Sequence, residues 1–387
     1  MISYLPLVWA AIVRKPSRAI LTLLSVMVAF TLFGLMMGMN ATYDAVAERA
    51  RADRIFTWPR FGGTGVPLAV AKQVAAIPGV KAVTALNFLP GYYQDPKNSV
   101  FVLMIDKDID KVFHDYGITS EQWNLVWNDR TGVVMSTSQA ARWHKKVGDT
   151  FTMISKQIKR ADGKSSWDFK VLAIVDEPPQ TQGGFIFGNY DYIDKAKPLA
   201  DQGKVNEVDL LADSPEESPA VAARIDHVFA NSATPMQTIT EKMARSGNDF
   251  GGLDVKKITG GIALAGMFMV LFLTGNGIAE SVRERFAEFA TLKTIGFTDR
   301  AVTVMVMLEA ALPCVAGAAL GVGLAAYLAR QIPRLLPPGW GIPIPTMSPM
   351  VMLWAALSAL AVAGISSVLP LLWLKRMDIA TALSGRA

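Results

Sequence analysis

Cysteine and histidine are almost missing from this chain of 387 residues, which has one Cys and three His. A lone cysteine excludes an intrachain disulfide, and Cys314 falls inside a long apolar run. His114, His144 and His227 have neither the H-E-x-x-H spacing nor the cysteine partners of a zinc site, so no metal is expected. No G-x-S-x-G turn is present to expose a nucleophilic serine. Gly163-Lys164-Ser165 copies the end of a phosphate-binding loop, but position 158 is Ile and no apolar strand leads into it. It reads as a surface turn. The chain is therefore not expected to be an enzyme, nor to hold a cofactor or nucleotide of its own.

Charge is also missing, over long stretches. Residues 19–40 and 258–279 carry none, 301–329 holds only Glu309, and 335–374 is uncharged and continuously apolar from about 350. A helix crossing the hydrocarbon core needs about 20 apolar residues at a rise of 1.5 Å each. All four runs reach that length. The expected fold class is an integral membrane α-helical protein with four transmembrane helices, 19–40, 258–279, 301–329 and 350–374. A large α+β extracytoplasmic domain, 41–257, lies between helices one and two. The first run exceeds the 7–15 apolar residues of a signal peptide, so Ala45-Val46-Ala47 is not expected to be a cleavage site.

Basic residues close to span ends set orientation. Arg14, Lys15 and Arg18 precede span one; Arg283, Arg285, Lys293 and Arg300 lie between spans two and three; Lys375, Arg376 and Arg386 follow span four. The loop 330–349 has only Arg330 and Arg334. Both termini and the 280–300 segment are expected in the cytoplasm, with 41–257 outside. Residues 41–257 hold 26 basic and 27 acidic side chains, so the surplus of positive charge belongs to the membrane flanks. Those flanks suit anionic lipid. A nucleic-acid partner is not expected, because the soluble block lacks a basic excess.

Along the chain, 2–13 is apolar with Tyr4 and Trp9 and reads as an interfacial helix within a cytoplasmic segment 1–18. Residues 41–54 continue span one as a stalk. In the outer block, 66–77 reads as helix, and 80–86 and 99–106 read as strands. Residues 207–211, 215–230 and 235–239 make a β-α-β unit expected to pair with the earlier strands. Between them, 108–200 is a β-rich insertion: 132–153 and 169–175 favour strands, Gly148-Asp149 and Asp162-Gly163 mark turns, and Pro178-Pro179 with Gly183-Gly184 marks a loop. Residues 249–257 are expected to return to span two as a helical stalk, and 375–387 to form a cytoplasmic tail.

The segment 280–300 carries the clearest signal. Val282, Phe286, Phe289 and Leu292 recur at helical spacing on one face, with Arg283, Glu284, Arg285 and Glu288 at other positions and Gly296 as a helix stop. Such a helix either rests on lipid or docks a soluble partner; periodicity does not choose. Glu309 lies near the cytoplasmic start of span three, where pairing with Arg283 or Arg285 is expected. Glycines 260, 261, 266, 275, 277, 317, 321 and 323 would allow close helix approach, and Pro313 a kink.

Read together, these stretches resemble the FtsX/MacB-type permeases of ABC transporters. SVRERFAEFATLKTIGFTDRAVTVMVMLEA is similar to that family's V-x-E-R-x-x-E-x-A-x-L-x-A-x-G segment ending in Glu. Val282, Glu284, Arg285, Glu288, Ala290, Leu292, Gly296 and Glu309 fall on its places, and Thr294 replaces a small Ala. The basic entry into span one, the strand–Gly-Asp–strand passage VVMSTSQAARWHKKVGDTFTM with FKVLAIVD, and the ending MDIATAL also resemble the family. The resemblance covers nearly the whole chain.

The resemblance implies a permease subunit that works with cytoplasmic ABC ATPase subunits, which bind the ATP and Mg, and with a second permease, identical or related. It implies mechanotransmission: ATP-driven motion passes through the spans to the outer domain, for export of a small molecule, peptide or lipid-linked cargo. A periplasmic adaptor is a further expected partner, and the bacterial inner membrane the expected location. The alternative is regulation of an extracytoplasmic enzyme by the same motion. The implied docking residues of the coupling helix are Val282, Arg283, Glu284, Arg285, Phe286, Glu288, Phe289, Leu292, Lys293 and Gly296.

Overall fold

The structure, a computed structural model, describes residues 14, 16–62, 65–177, 184–247, 253–335 and 344–375. The expected interfacial helix 2–13, the loop at Pro178-Pro179, the stalk residues 249–252 and the tail 376–387 lie outside the described residues. The chain divides into a membrane unit (residues 1–42, 255–332 and 344–387) and an outer unit (43–254 and 333–343).

Four helices in the described residues are long and apolar enough to cross a membrane, with mean hydropathy of 1.9 to 2.4. They are Pro16–Arg49, Val255–Glu284, Asp299–Leu335 and Pro349–Lys375. Leu264, Phe268, Met269 and Phe272 of span two are exposed, as a lipid-facing surface requires. Lipid supplies no hydrophobic drive between helices, so these must hold together by close packing and polar links. Spans one and three do so at Gly317 and Gly321. A Cβ at Gly321 would lie 2.5 Å from the Met27 carbonyl oxygen, and the Thr31 hydroxyl donates to the Gly321 carbonyl at 3.1 Å. At the other end of span one, the Thr42 hydroxyl donates to the Ile344 carbonyl at 2.7 Å, and the Thr346 amide donates to the Gly38 carbonyl at 3.1 Å. Span two packs along span four, and Val26, Phe30, Ala263, Val270, Cys314, Ala355 and Ala359 meet in the core of the bundle.

Among its described residues, the outer unit is built on one nine-stranded sheet plus a two-stranded ribbon. Its strands are β1 Arg54–Pro59, β2 Val66–Pro67, β3 Val80–Tyr93, β4 Ser99–Ile105, β5 Gly132–Ser136, β6 Thr150–Ile154, β7 Ser166–Val175, β8 Ile186–Asn189, β9 Lys204–Val205, β10 Glu207–Ala212 and β11 Met236–Thr240. The large sheet runs β11-β1-β10-β3-β4-β8-β5-β7-β6. β1 is antiparallel to both β10 and β11, and β10 is antiparallel to β3. With helices Ala69–Ala75 and Ser218–Phe229 as crossovers, β1, β3, β10 and β11 form a split βαβ arrangement. Val70, Val74, Val221, Ile225 and Phe229 cover the sheet on Ile55, Ala85, Val208 and Leu210.

The 14-residue β3 joins two cores. Its first half pairs with β10, while Tyr92 and Tyr93 pair with Ile154 and Met153 of β6. Strands β3-β4-β8-β5-β7-β6 thereby close on themselves around Leu89, Met135, Met153, Trp167, Phe169 and Val171. β3 runs past the expected end at 86 because Pro90 falls between its β10 and β6 pairings, on an edge that asks for no amide there. In that gap the Asn206 side chain accepts from the Phe88 amide at 2.8 Å.

Three expectations change. Residues 132–153 are not strand throughout, because Thr137–Trp143 is a helix between β5 and β6, started by the Ser136 hydroxyl accepting from the Gln139 amide. Residues 66–77 are not all helix: Val66 and Pro67 form β2 against β9, and the helix starts at Ala69. A residue before proline is forced towards the extended region, which favours strand at Val66. The return to span two is helical only from Val255: residues 255–257 continue into the span, while Leu253 and Asp254 lie outside the helix.

Candidate functional site

The segment between spans two and three is two helices, not one. Span two ends at Glu284, Arg285 breaks the helix with φ −106° and ψ 15°, and a second helix covers Phe286–Thr294. Gly296 ends it at φ +106°, a conformation open to glycine but strained for other residues. The Phe297 amide donates to the Leu292 carbonyl at 3.0 Å and the Gly296 amide to the Lys293 carbonyl at 3.1 Å, the bond pair of a Schellman stop.

The apolar face read from the sequence points inward. Val282 and Phe289 are each 1% exposed and pack with Val302 and Val306 of span three, flanked by Phe286, Leu292 and Phe297. Of the implied docking residues, Val282 and Phe289 therefore cannot touch a partner. Arg283, Glu284, Glu288 and Gly296 are exposed, while Arg285, Phe286, Leu292 and Lys293 are half-buried. Lys293 reaches Asp299 at 2.8 Å. Ile295, 71% exposed at the end of the helix, was missed by periodicity because it falls off the apolar face.

Glu309 is paired as expected, and Arg285 is the partner. Its Nη1 reaches the Glu309 carboxylate at 2.6 Å, its Nε reaches Glu288 at 2.9 Å, and its guanidinium lies 5.0 Å from the Phe289 ring. Ser281 donates to Glu309 at 3.2 Å, and Arg14 reaches Glu288 at 2.9 Å. The hydrogen bond from Arg285 holds the Glu288 carboxyl below its ordinary pKa. Around this network lies a cavity of about 230 Å³, lined among others by Thr22, Thr274, Ser281, Glu309 and Cys314. Arg285 thus ties the short helix to spans two and three at once.

Hydrogen bonds to charged groups contribute about 1.5–3 kcal/mol, so Arg285→Ala should lower the unfolding free energy by that amount. Arg285→Ala combined with Glu309→Gln should recover part of it, since no carboxylate is then left unpaired. Unfolding titrations of the full chain in detergent measure both.

Residues 19–228 match the MacB-like periplasmic core domain, and residues 260–379 match the FtsX-like permease C-terminal domain. Among solved structures, the extracellular domain of the noncanonic ABC-type transporter YknZ from Gram-positive bacteria is similar at 11% identity and a TM-score of 0.34, over 48% of this chain and 100% of that one. The periplasmic region of MacB from Actinobacillus actinomycetemcomitans is similar at 10% identity and a TM-score of 0.36, over 51% of this chain and 93% of that one. A domain of a permease protein from Porphyromonas gingivalis is similar at 13% identity and a TM-score of 0.29, over 48% and 85%. No curated protein matches the chain. With one family model spanning more than half of its length and a second spanning three of its four membrane helices, the chain belongs to the FtsX/MacB-type permease family of ABC transporters.

Proposed function

We propose that this chain is the permease subunit that carries ATP-driven motion from a separate cytoplasmic ATPase to its extracytoplasmic domain, for export of a small molecule, peptide or lipid-linked cargo. The observation that carries the reading is the fastening of the 286–294 helix. Its inner face is buried on Val302 and Val306, and Arg285 links it to Glu309. A push on its outer face would reach spans two and three with little slack, because packed side chains yield poorly. The outer face presents Ala287, Glu288 and Thr291, with Ile295 at its end, and Arg283 and Glu284 are exposed at the end of span two before it. Docking here places both chain termini in the cytoplasm of a bacterial inner-membrane protein, with ATP and Mg held by the ATPase. A second permease subunit and a periplasmic adaptor complete the proposed assembly.

Ile295→Asp tests the docking face without disturbing the buried one. Loss of an apolar interface anchor costs about 2 kcal/mol or more, roughly 30-fold in affinity. The expected result is that much weaker association with the proposed ABC ATPase partner, at unchanged membrane insertion. Wild-type affinity in Ile295→Asp, Glu284→Lys and Thr291→Arg alike would remove the docking reading.

A further inference from the structure

On β10, Val208, Leu210 and Ala212 enter the helix-covered core, so Glu207, Asp209 and Leu211 face the other side of the sheet. Asp209 is opposite Phe56 on β1 and Thr84 on β3, and Arg54 lies two residues from Phe56 on the same face. Asp209 is 3% exposed, and its Oδ1 has no hydrogen-bond partner. Glu207, two residues away on the same face, is partly buried beside it.

The surrounding charges come from every element packed over this face. β1 and the residues before it bring Arg51, Asp53 and Arg54. The 114–116 turn brings His114, Asp115 and Tyr116. The helix Glu241–Arg245 brings Glu241 and Arg245. Asp106, next to Thr84, is met by the Thr84 hydroxyl and by the amides of Ala85 and Asp108. The guanidiniums are already engaged. Arg51 holds Asp53 at 2.5 Å, Arg54 holds both Asp115 and Glu241, and Arg245 lies 3.6 Å from Glu241. Three cations thus meet three carboxylates, and among the described residues none is at ion-pair distance from Glu207 or Asp209. Two adjacent carboxylates, one buried and one half-buried, do not both stay ionised at little cost; retaining a proton costs far less.

We propose that Glu207 and Asp209 form a proton-binding site in the outer domain, holding a proton as a pair in mildly acidic medium and releasing it as the medium passes through neutral to alkaline. Release places a new negative charge diagonal to Arg54, where it competes with Asp115 and Glu241 for that guanidinium. Arg54 opens the first strand of this unit and Glu241 follows its last, β11, so proton release loosens the link between the two strands' ends. Burial raises both carboxyls, with Glu207 pushed up to about 7. Their titration belongs to the pair. Since the folded pKa values are raised, the folded chain binds more protons than the unfolded one above about pH 4, the ordinary carboxylate range. The stabilisation is complete below that range and is lost as pH rises through about 7.

Infrared difference spectroscopy of the full chain in detergent reads the site directly. At about pH 6, where ordinary carboxyls are ionised, the wild type is expected to keep a protonated-carboxyl C=O band that bleaches with a midpoint near 7. Glu207→Gln combined with Asp209→Asn should remove that band, each alone should change its intensity or midpoint, and each should flatten the fall in melting temperature across the same pH range. A wild type with no band at about pH 6 overturns the proposal without relying on either variant. So does a band, or a melting-temperature slope, that both variants leave unchanged.

Discussion

Arg54→Met is expected to destabilise the outer domain by about 3–5 kcal/mol, the cost of stripping one partner from a buried ion pair. Arg54 is completely buried, as is Glu241, whose Oε2 it meets at 3.1 Å. It also holds Asp115, donates from Nε to the Val112 carbonyl at 3.2 Å, and stacks 4.4 Å from the Phe113 ring. Methionine fills much of the volume but leaves Glu241 with Arg245 at 3.6 Å as its remaining guanidinium. For a domain of this size, the loss translates into a melting temperature lower by roughly 6–20 °C. Tryptophan fluorescence during thermal unfolding measures it, because Trp123 lies in the core that Phe113 and Tyr116 share. Adding Glu241→Gln should restore part of the loss by removing the stranded charge. A melting temperature unchanged in Arg54→Met would mean that this cluster contributes nothing to the fold.

Gly321→Leu is expected to cost about 2–4 kcal/mol in the membrane unit, the upper part of the overpacking range plus an interhelical hydrogen bond. A Cβ there would sit 2.5 Å from the Met27 carbonyl oxygen, 2.8 Å from Phe30 Cβ and 3.0 Å from the Thr31 amide nitrogen. Two of these are backbone atoms of span one, which cannot rotate away as a side-chain tip does. Spans one and three must separate, and the Thr31 to Gly321 hydrogen bond is lost with them. Gly323→Leu is the control: nothing lies within 4 Å of its would-be Cβ, so that change should be neutral within about 0.5 kcal/mol. Equal stability of the two variants in detergent unfolding would contradict the close packing of these spans.

Both effects depend on features that differ in how far the sequence exposes them. The glycines of span three were readable as places of close approach, but not which helix approaches them. The βαβ unit around β10 and β11 was readable because Pro215 and Pro235 punctuate it and its helix has a clear apolar face. β2 was not, since a two-residue strand has no period to detect and exists only by pairing with β9. The docking helix was half readable. Its apolar stripe is real, yet the same stripe serves burial on span three as well as it would serve a partner, and only Val302 and Val306 decide between them.

What the sequence determined by itself was linear. Charge-free runs of membrane length, basic flanks and a soluble block with balanced charge follow from composition along the chain, because hydrocarbon acts on every residue of a span independently of its distant neighbours. The tertiary structure alone decided which charges meet. Arg54 reaches Glu241 across 187 positions, Arg285 is the guanidinium that reaches Glu309, and among the described residues no cation comes within ion-pair distance of Glu207 or Asp209. No local period encodes these pairings, since strand register and helix packing bring together residues that the chain keeps far apart.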